Sequence, residues 1–239
     1  MPRMYILSGC NGSGKTTASY SLLPELLECS EFVNSDEFAK SLSPFNPEGA
    51  YVMASRLMLL KTRVLFDQRK DFSIETTLAT RSLLKMVRSA QEMGYYVTVL
   101  FFWLESADMA VDRVAARVAS GGHYIPEETI RRRYFVGLKY FFRDYAPICD
   151  RWILCDNSHP PFREVAEGNR RSMIIRDSAL YGRIRSLADN IIEPPPRRRE
   201  TFVPDNVGLP VQAKDGVPAR LSFPQGADDD FPYNPKNLP

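Results

Sequence analysis

A lysine and two threonines, Lys15, Thr16 and Thr17, end the stretch GCNGSGKTT that begins at Gly9. The spacing is G-x-x-x-x-G-K-[ST], in which small residues let successive backbone N–H groups turn inward around a polyphosphate. The pattern assigns Gly9, Asn11, Gly12, Ser13, Gly14, Lys15, Thr16 and Thr17 to a nucleotide cradle, with a polyphosphate as the expected ligand. Lys15 would reach the β- and γ-phosphates and the Thr16 hydroxyl would hold Mg²⁺. The helix expected to follow would aim its positive dipole end at the anion.

A terminal phosphoryl group held this way needs an acceptor and a base. In an open α/β sheet, ligands sit beyond the carboxyl ends of the strands, so the informative residues are those where an apolar run turns polar. After the second run come Asn34, Ser35 and Asp36; after the third come Glu75, Thr76 and Thr77. Asp36 reads either as the general base that takes the proton of an attacking hydroxyl or as the N-cap of a helix over EFAKSL. Glu75 follows Ile74 in a strand expected to be buried, where a carboxylate needs a metal, a cation or several donors. It is a candidate for holding the acceptor or a water on Mg²⁺. Thr76 and Thr77 read equally as substrate contacts or as helix caps.

Charge that builds on the transferring oxygens calls for cations from an element that closes over the nucleotide. Arg113 and Arg117 are four residues apart on one helix face, and Arg131, Arg132 and Arg133 lie on the next helix. Between them GGHYIPEE loosens the chain and restarts it at Pro126, with His123 at the bend; residues of about 113–133 read as a lid. Consecutive helical residues diverge by about 100°, so at most one or two of the three adjacent arginines face one site. Arg113 and Arg117 are the expected catalytic cations, with Lys15. Arg131 and His123 are expected at the substrate, His123 as a phosphate ligand, a substrate contact or a structural donor.

Five runs are predicted as strands, at 4–9, 31–36, 72–76, 95–104 and 151–156, alternating with helices at about 15–29, 48–70, 80–93, 106–120 and 126–142. This alternation predicts an α/β protein: a three-layer αβα sandwich around a mostly parallel five-stranded sheet, of the type found in P-loop NTPases and kinases. Beyond it, a hairpin around Gly168-Asn169 and a helix near 178–190 read as an attached decoration over about 162–190. Residues 1–193 make the kinase-type domain. From Pro194 to Pro239, where ten of the eighteen prolines fall, periodicity is lost and an extended or disordered tail is expected.

The formal charge of +2 argues against nucleic acid or an anionic membrane as the main partner. The four cysteines, Cys10, Cys29, Cys149 and Cys155, have no C-x-x-C spacing and only two histidines to join them, which argues against zinc. They read as buried thiols, with Cys10, inside the phosphate loop, open to oxidation. With no signal core and no apolar run of about 20 residues, a cytoplasmic protein is expected.

Taken together, GCNGSGKTT, VNSDEFA, SIETTL, GYYVTVLFFWL, RVAARVASGGHYIPEETIRRRY and CDRWILCDNS resemble the zeta toxin family of P-loop kinases, over about Met4–Asn157. The resemblance implies ATP- and Mg²⁺-dependent phosphorylation of a hydroxyl on a UDP-N-acetylated amino sugar such as UDP-N-acetylglucosamine, and an antitoxin protein as partner. It implies phosphate and metal contacts for Lys15 and Thr16, the base for Asp36, the acceptor site for Glu75 and a lid cation for Arg113. Where plasmid-borne members of the family carry a second lid arginine, this chain has His123, which leaves Arg117 or Arg131 to supply that charge. Two other readings stand beside this one: a kinase of the same build acting on a nucleoside, a dinucleotide cofactor or an RNA end, and an ATPase switch with no acceptor. The chain has no N-K-x-D guanine motif.

Overall fold

The N-terminal apolar run becomes the central strand because it is covered on both faces. In the computed structural model, which describes residues 1–25, 28–44, 47–122 and 124–191, β1 (Arg3–Ser8) is buried from Met4 onward. Met4 and Ile6 point into one core and Tyr5 and Leu7 into another, the alternation a two-sided strand requires. Parallel neighbours flank it: β3 (Phe72–Thr76) on one side and β4 (Tyr96–Trp103) on the other. Outside these lie β2 (Phe32–Val33), beside β3, and β5 (Arg151–Asp156), beside β4.

The five expected parallel strands are all present, yet the sheet has seven strands, in the order β2-β3-β1-β4-β5-β6-β7. The hairpin β6 (Arg163–Gly168) and β7 (Met173–Ile175) is antiparallel and continues the sheet past β5. It is therefore no separate decoration. Without it β5 would be an edge with unpaired backbone groups, and pairing with β6 satisfies them. The turn closes on Asn169, whose Oδ1 accepts from the amides of Arg171 and Ser172 at 2.8 and 3.0 Å.

Helices cover the two faces unequally. α3 (Tyr51–Asp67), α4 (Leu83–Glu92), the end of α6 (Glu127–Tyr140) and α7 (Ser178–Asp189) pack on the face of Met4 and Ile6, through Leu65, Phe66, Val87, Leu138 and Ile184. α1 (Lys15–Glu25) contributes Ala18 to the opposite face. α5 (Ala107–Ala119) joins α6 in a third cluster with Cys10 and Leu104, at the carboxyl end of the strands. The short α2 (Ser35–Leu42) follows β2 directly, and α6 runs on into a π-turn over Phe141–Tyr145. Among the described residues no helix is long and apolar enough to cross a membrane. The expected tail from Pro194 onward lies outside the described residues, as does His123.

Leu138, fully buried at the junction of α6 with the sheet, tests this packing. Leu138→Ala should cost about 2–5 kcal/mol in urea unfolding. Leu60→Ala, at a position 60% exposed on α3, should change stability by less than about 0.5 kcal/mol.

Candidate active site

The chain reverses strand order at β1, with β3 on one side and β4 on the other, and the loop that follows β1 sits at that switch point. Gly9, Gly12 and Gly14 all have positive φ, at 139°, 80° and 81°. At Gly14 the space is also taken: a Cβ would collide with Nδ2 of Asn157, which donates to the Ser13 carbonyl at 2.7 Å. Only a glycine lets the loop pass under that amide. Lys15, 6% exposed, donates to the Cys10 carbonyl at 2.8 Å and so folds back across the loop.

Glu75 stands beside this loop because the parallel register pairs it with Leu7, two residues before Gly9. Its Oε2 accepts from Thr16 Oγ1 at 2.8 Å and from Asn34 Nδ2 at 2.9 Å, and its Oε1 is 3.9 Å from Lys15 Nζ. Burial pushes this carboxyl above its ordinary value, and the nearby charges of Asp36 and Glu37 push the same way. Lys15 and the Thr16 hydroxyl only partly oppose them. Asn34 is bonded on both sides of its amide, since Oδ1 accepts from the backbone N–H of Asp36 at 2.8 Å and caps α2. Asp36 is therefore not the cap, and its side chain is left to line the cavity below.

A second network supports the loop from the end of β5. Arg113, on α5, donates to the carbonyls of Asn157 and Ser158 at 2.9 and 2.7 Å. Asp156 accepts from the Ser158 amide and hydroxyl, at 3.0 and 2.6 Å, and from Arg163 Nε at 3.1 Å. Desolvation alone would raise this carboxyl, but the Ser158 and Arg163 hydrogen bonds outweigh it and hold the group below its ordinary value.

Between the loop, β3 and helices α2, α3 and α4 lies a cavity of about 470 Å³. Asn11, Lys15, Asp36 and Glu75 face it from one end, and Met58, Phe66, Ile74, Leu83 and Met86 supply apolar walls. Arg63, Lys85 and Arg133 also line it. The volume is within the range of small-molecule pockets.

The residues present fit a nucleotide polyphosphate. Ser13 Oγ is buried and has no partner among the described residues, the first-turn amides of α1 are orphans of helix geometry, and Lys15 brings the balancing charge. Thr16 suits Mg²⁺ as well: by accepting its proton, Glu75 fixes the hydroxyl rotor and leaves the oxygen lone pairs for a metal.

Comparison with known proteins decides the family. The Zeta toxin family profile matches residues 1–143, more than half of the chain. The chain belongs to the zeta toxin family. An uncharacterized protein of Haemophilus influenzae is 32% identical over 126 residues, which are 53% of this chain and 88% of that protein. The crystal structure of AvrRxo1-ORF1:AvrRxo1-ORF2 with sulphate ions superposes with a TM-score of 0.63 at 17% identity, covering 77% of this chain. This chain spans only 63% of the length of that one. The PezAT chromosomal toxin–antitoxin structure from Streptococcus pneumoniae gives 0.56 at 13% identity, covering 79% of this chain and 85% of that one. At such identities the likeness is one of fold.

The loop residues expected to cradle phosphate in this zeta toxin family chain come together, with Thr17 on the exposed first turn of α1. Asp36, Glu75, Thr76 and Thr77 all line the cavity. Thr76 Oγ1 in addition accepts from the Leu78 amide at 3.1 Å, bracing the turn after β3. Three expected cations lie elsewhere. Arg113 sits beside the loop, but both terminal nitrogens of its guanidinium are engaged by backbone carbonyls. Arg117 is on the exposed side of α5, outside the cavity lining. Arg131 is held on the surface by Asp108 and Glu127, at 2.6 and 2.7 Å, because its face of α6 points toward the start of α5. Cys10 is not open to oxidation: it is 3% exposed, and burial pushes its thiol up to about 11, against the weaker pull of Lys15 and Arg113.

The sequence names Asn34 and Arg133 without giving either a role, and Asn157 is not singled out. Asn157 stands at a strand end, as Asp36 and Glu75 do, and the strand-end rule extended to β5 finds it.

Asp156 gives a pH-dependent test of the second network. Its folded-state pKa is depressed, so its stabilisation is fully present above the ordinary carboxyl value of 3.8 and is lost as pH falls through the lower folded value. Asp156→Asn should therefore cost about 1 kcal/mol at pH 7, and the deficit should shrink below pH 3.8 in urea unfolding followed across pH.

Proposed function

We propose that this chain transfers the γ-phosphoryl group of ATP to a hydroxyl of a small molecule bound in the cavity, and that the acceptor is a UDP-N-acetyl amino sugar. The observation that carries the reading is that one cavity is lined both by the loop residues Asn11 and Lys15 and by the carboxylates Asp36 and Glu75. Donor groups and base thus share one space. A switch that only hydrolyses its nucleotide needs no such acceptor volume.

In this reading the loop amides and Lys15 Nζ hold the donor's phosphates, and the freed Ser13 hydroxyl adds a further donor. Thr16 would hold a Mg²⁺ ion, which would offset negative charge on the donor's phosphates. Asp36 takes the proton of the acceptor hydroxyl. The acceptor oxygen bonds to the γ-phosphorus, the bond from that phosphorus to the bridging oxygen breaks, and ADP leaves with the electron pair. Glu75 keeps Thr16 and Asn34 in register with the loop, so that the Thr16 hydroxyl and the helix carrying Asp36 stand at fixed positions. Arg113 serves as a positioning residue, holding the Asn157 turn against the loop.

The apolar walls suit the face of a base or an N-acetyl group, and Arg63 and Lys85 suit an acceptor that carries its own phosphates. The reading extends to a protein antitoxin, since the S. pneumoniae structure is that of a toxin–antitoxin system.

The test is incubation with ATP, Mg²⁺ and a panel of sugar nucleotides, nucleosides, dinucleotide cofactors and RNA ends, with mass analysis for an added phosphate. Lys15→Ala should abolish measurable ATP binding in calorimetry. Asp36→Asn should bind ATP as the unaltered protein does and lose transfer by about 10²-fold or more. Undiminished transfer by the Asp36→Asn protein would remove Asp36 from the mechanism.

A further inference from the structure

Phosphoryl transfer needs a cation aimed at the oxygens that gain charge, and three arginines that sequence placed near the nucleotide are committed elsewhere or lie outside the cavity. Among the described residues Arg63 and Arg133 line the cavity, and Arg133 is the one with a hydrogen bond to the phosphate loop. Arg133, on α6, donates from Nη1 to Asn11 Oδ1 at 3.0 Å, a contact across 122 residues of sequence. Asn11 is itself an 8% exposed member of the loop. Arg133 thus already touches the loop and shares its cavity with Lys15 and Asp36.

The helix that carries it is packed in place. Ile130, Tyr134 and Leu138 are buried on it, and the Tyr134 hydroxyl donates to the Leu104 carbonyl at 2.8 Å. Gly137 lies one turn beyond Arg133 and therefore on the same face. A Cβ at Gly137 would stand 2.5 Å from the Thr77 carbonyl oxygen, so α6 approaches the turn after β3 to backbone contact. Glycine is costly inside a helix, and here that cost sets how far the Arg133 face reaches over the cavity.

We propose that Arg133 is the side chain that lays its guanidinium on the transferring phosphoryl group, with Gly137 as the positioning residue that fixes its reach. The proposal rests on the phosphotransfer reading above. It replaces a cation brought in by the bend between α5 and α6 with one presented by a fixed helix, so less reorganisation precedes the chemical step.

The experiment measures binding of ATP, of Mg·ADP and of Mg·ADP with fluoroaluminate, a mimic of the transferring group, to the full chain and its variants. In the unaltered protein fluoroaluminate should tighten ADP binding. Arg133→Ala should keep ATP affinity within about threefold and lose about 10²-fold or more of that tightening, as removal of a donor to a developing charge does. Arg133→Lys should recover part of it, and added guanidinium should recover part in the alanine variant. Gly137→Ala should reduce the tightening while circular dichroism and the urea midpoint show a folded chain. Arg133→Met, which keeps the aliphatic stem, replaces the alanine variant if that one does not fold. If the unaltered protein binds neither ATP nor ADP, the phosphotransfer reading itself fails. If it binds ATP and is tightened by fluoroaluminate, but Arg133→Ala or Arg133→Met is tightened equally, only the assignment of Arg133 is overturned; a protein that binds ATP and shows no tightening overturns it as well.

Discussion

A carboxylate buried at the end of a parallel strand must be surrounded by donors, and Glu75, with a side chain only 11% exposed, meets that demand from two separate segments. Lys15 and Thr16 come from the junction of the phosphate loop with α1, and Asn34 from the end of β2. Each of these residues has a second duty. Lys15 closes the loop on Cys10, Thr16 presents its oxygen beside it, and Asn34 caps the helix on which Asp36 rides. Desolvating one acid therefore fixes the relative positions of loop, metal-type ligand and candidate base. Burial pushes the Glu75 carboxyl above its ordinary value, because its ionised form is desolvated where these segments meet.

The loop has an independent support on its other side. Asn157 reaches the Ser13 carbonyl over Gly14, Arg113 holds the carbonyls of Asn157 and Ser158, and Asp156 ties Ser158 to Arg163 at the start of β6. The hairpin thereby becomes more than an edge cover. By pairing with β5 it brings Arg163 to Asp156, and through Ser158 that contact reaches the turn on which the loop leans. Arg163, Asp156, Ser158 and Asn157 thus form a continuous series of contacts from the sheet edge to the phosphate cradle.

Much of this was legible from residue types. The five parallel strands are runs of buried apolar residues, and a strand covered on both faces has no choice but to read that way. The loop, Asp36 and Glu75 follow from one rule about strand ends. What escaped is of a different kind. The hairpin's membership of the sheet depends on which edge it meets, and short alternating segments carry no record of that. Arg133 was hidden in a run of three, where only the rotation of α6 separates the surface ion pair of Arg131 from the cavity face of Arg133. That rotation is set by Leu138, by the Tyr134 hydrogen bond to Leu104, 30 residues away, and by the close pass of Gly137 against Thr77, about sixty residues away. Arg113 is expected from the sequence as a lid cation, but its partners in the structure are main-chain carbonyls, which no side-chain pattern announces.

The distribution of duties among the arginines has a physical logic. A guanidinium that holds two carbonyls supports the loop whether or not an anion is present, which makes it a poor choice for following charge that appears only during reaction. A guanidinium on a packed helix that donates to a neutral amide side chain of the loop, as Arg133 does to Asn11, can exchange that contact for a charged one when phosphate arrives. Preorganisation and responsiveness are therefore divided between two residues. Arg113 supplies the fixed frame, and Arg133 supplies the contact that strengthens as the phosphoryl group moves. The glycine at 137 shows where the fold accepts a local cost in helix propensity so that the second of these can reach.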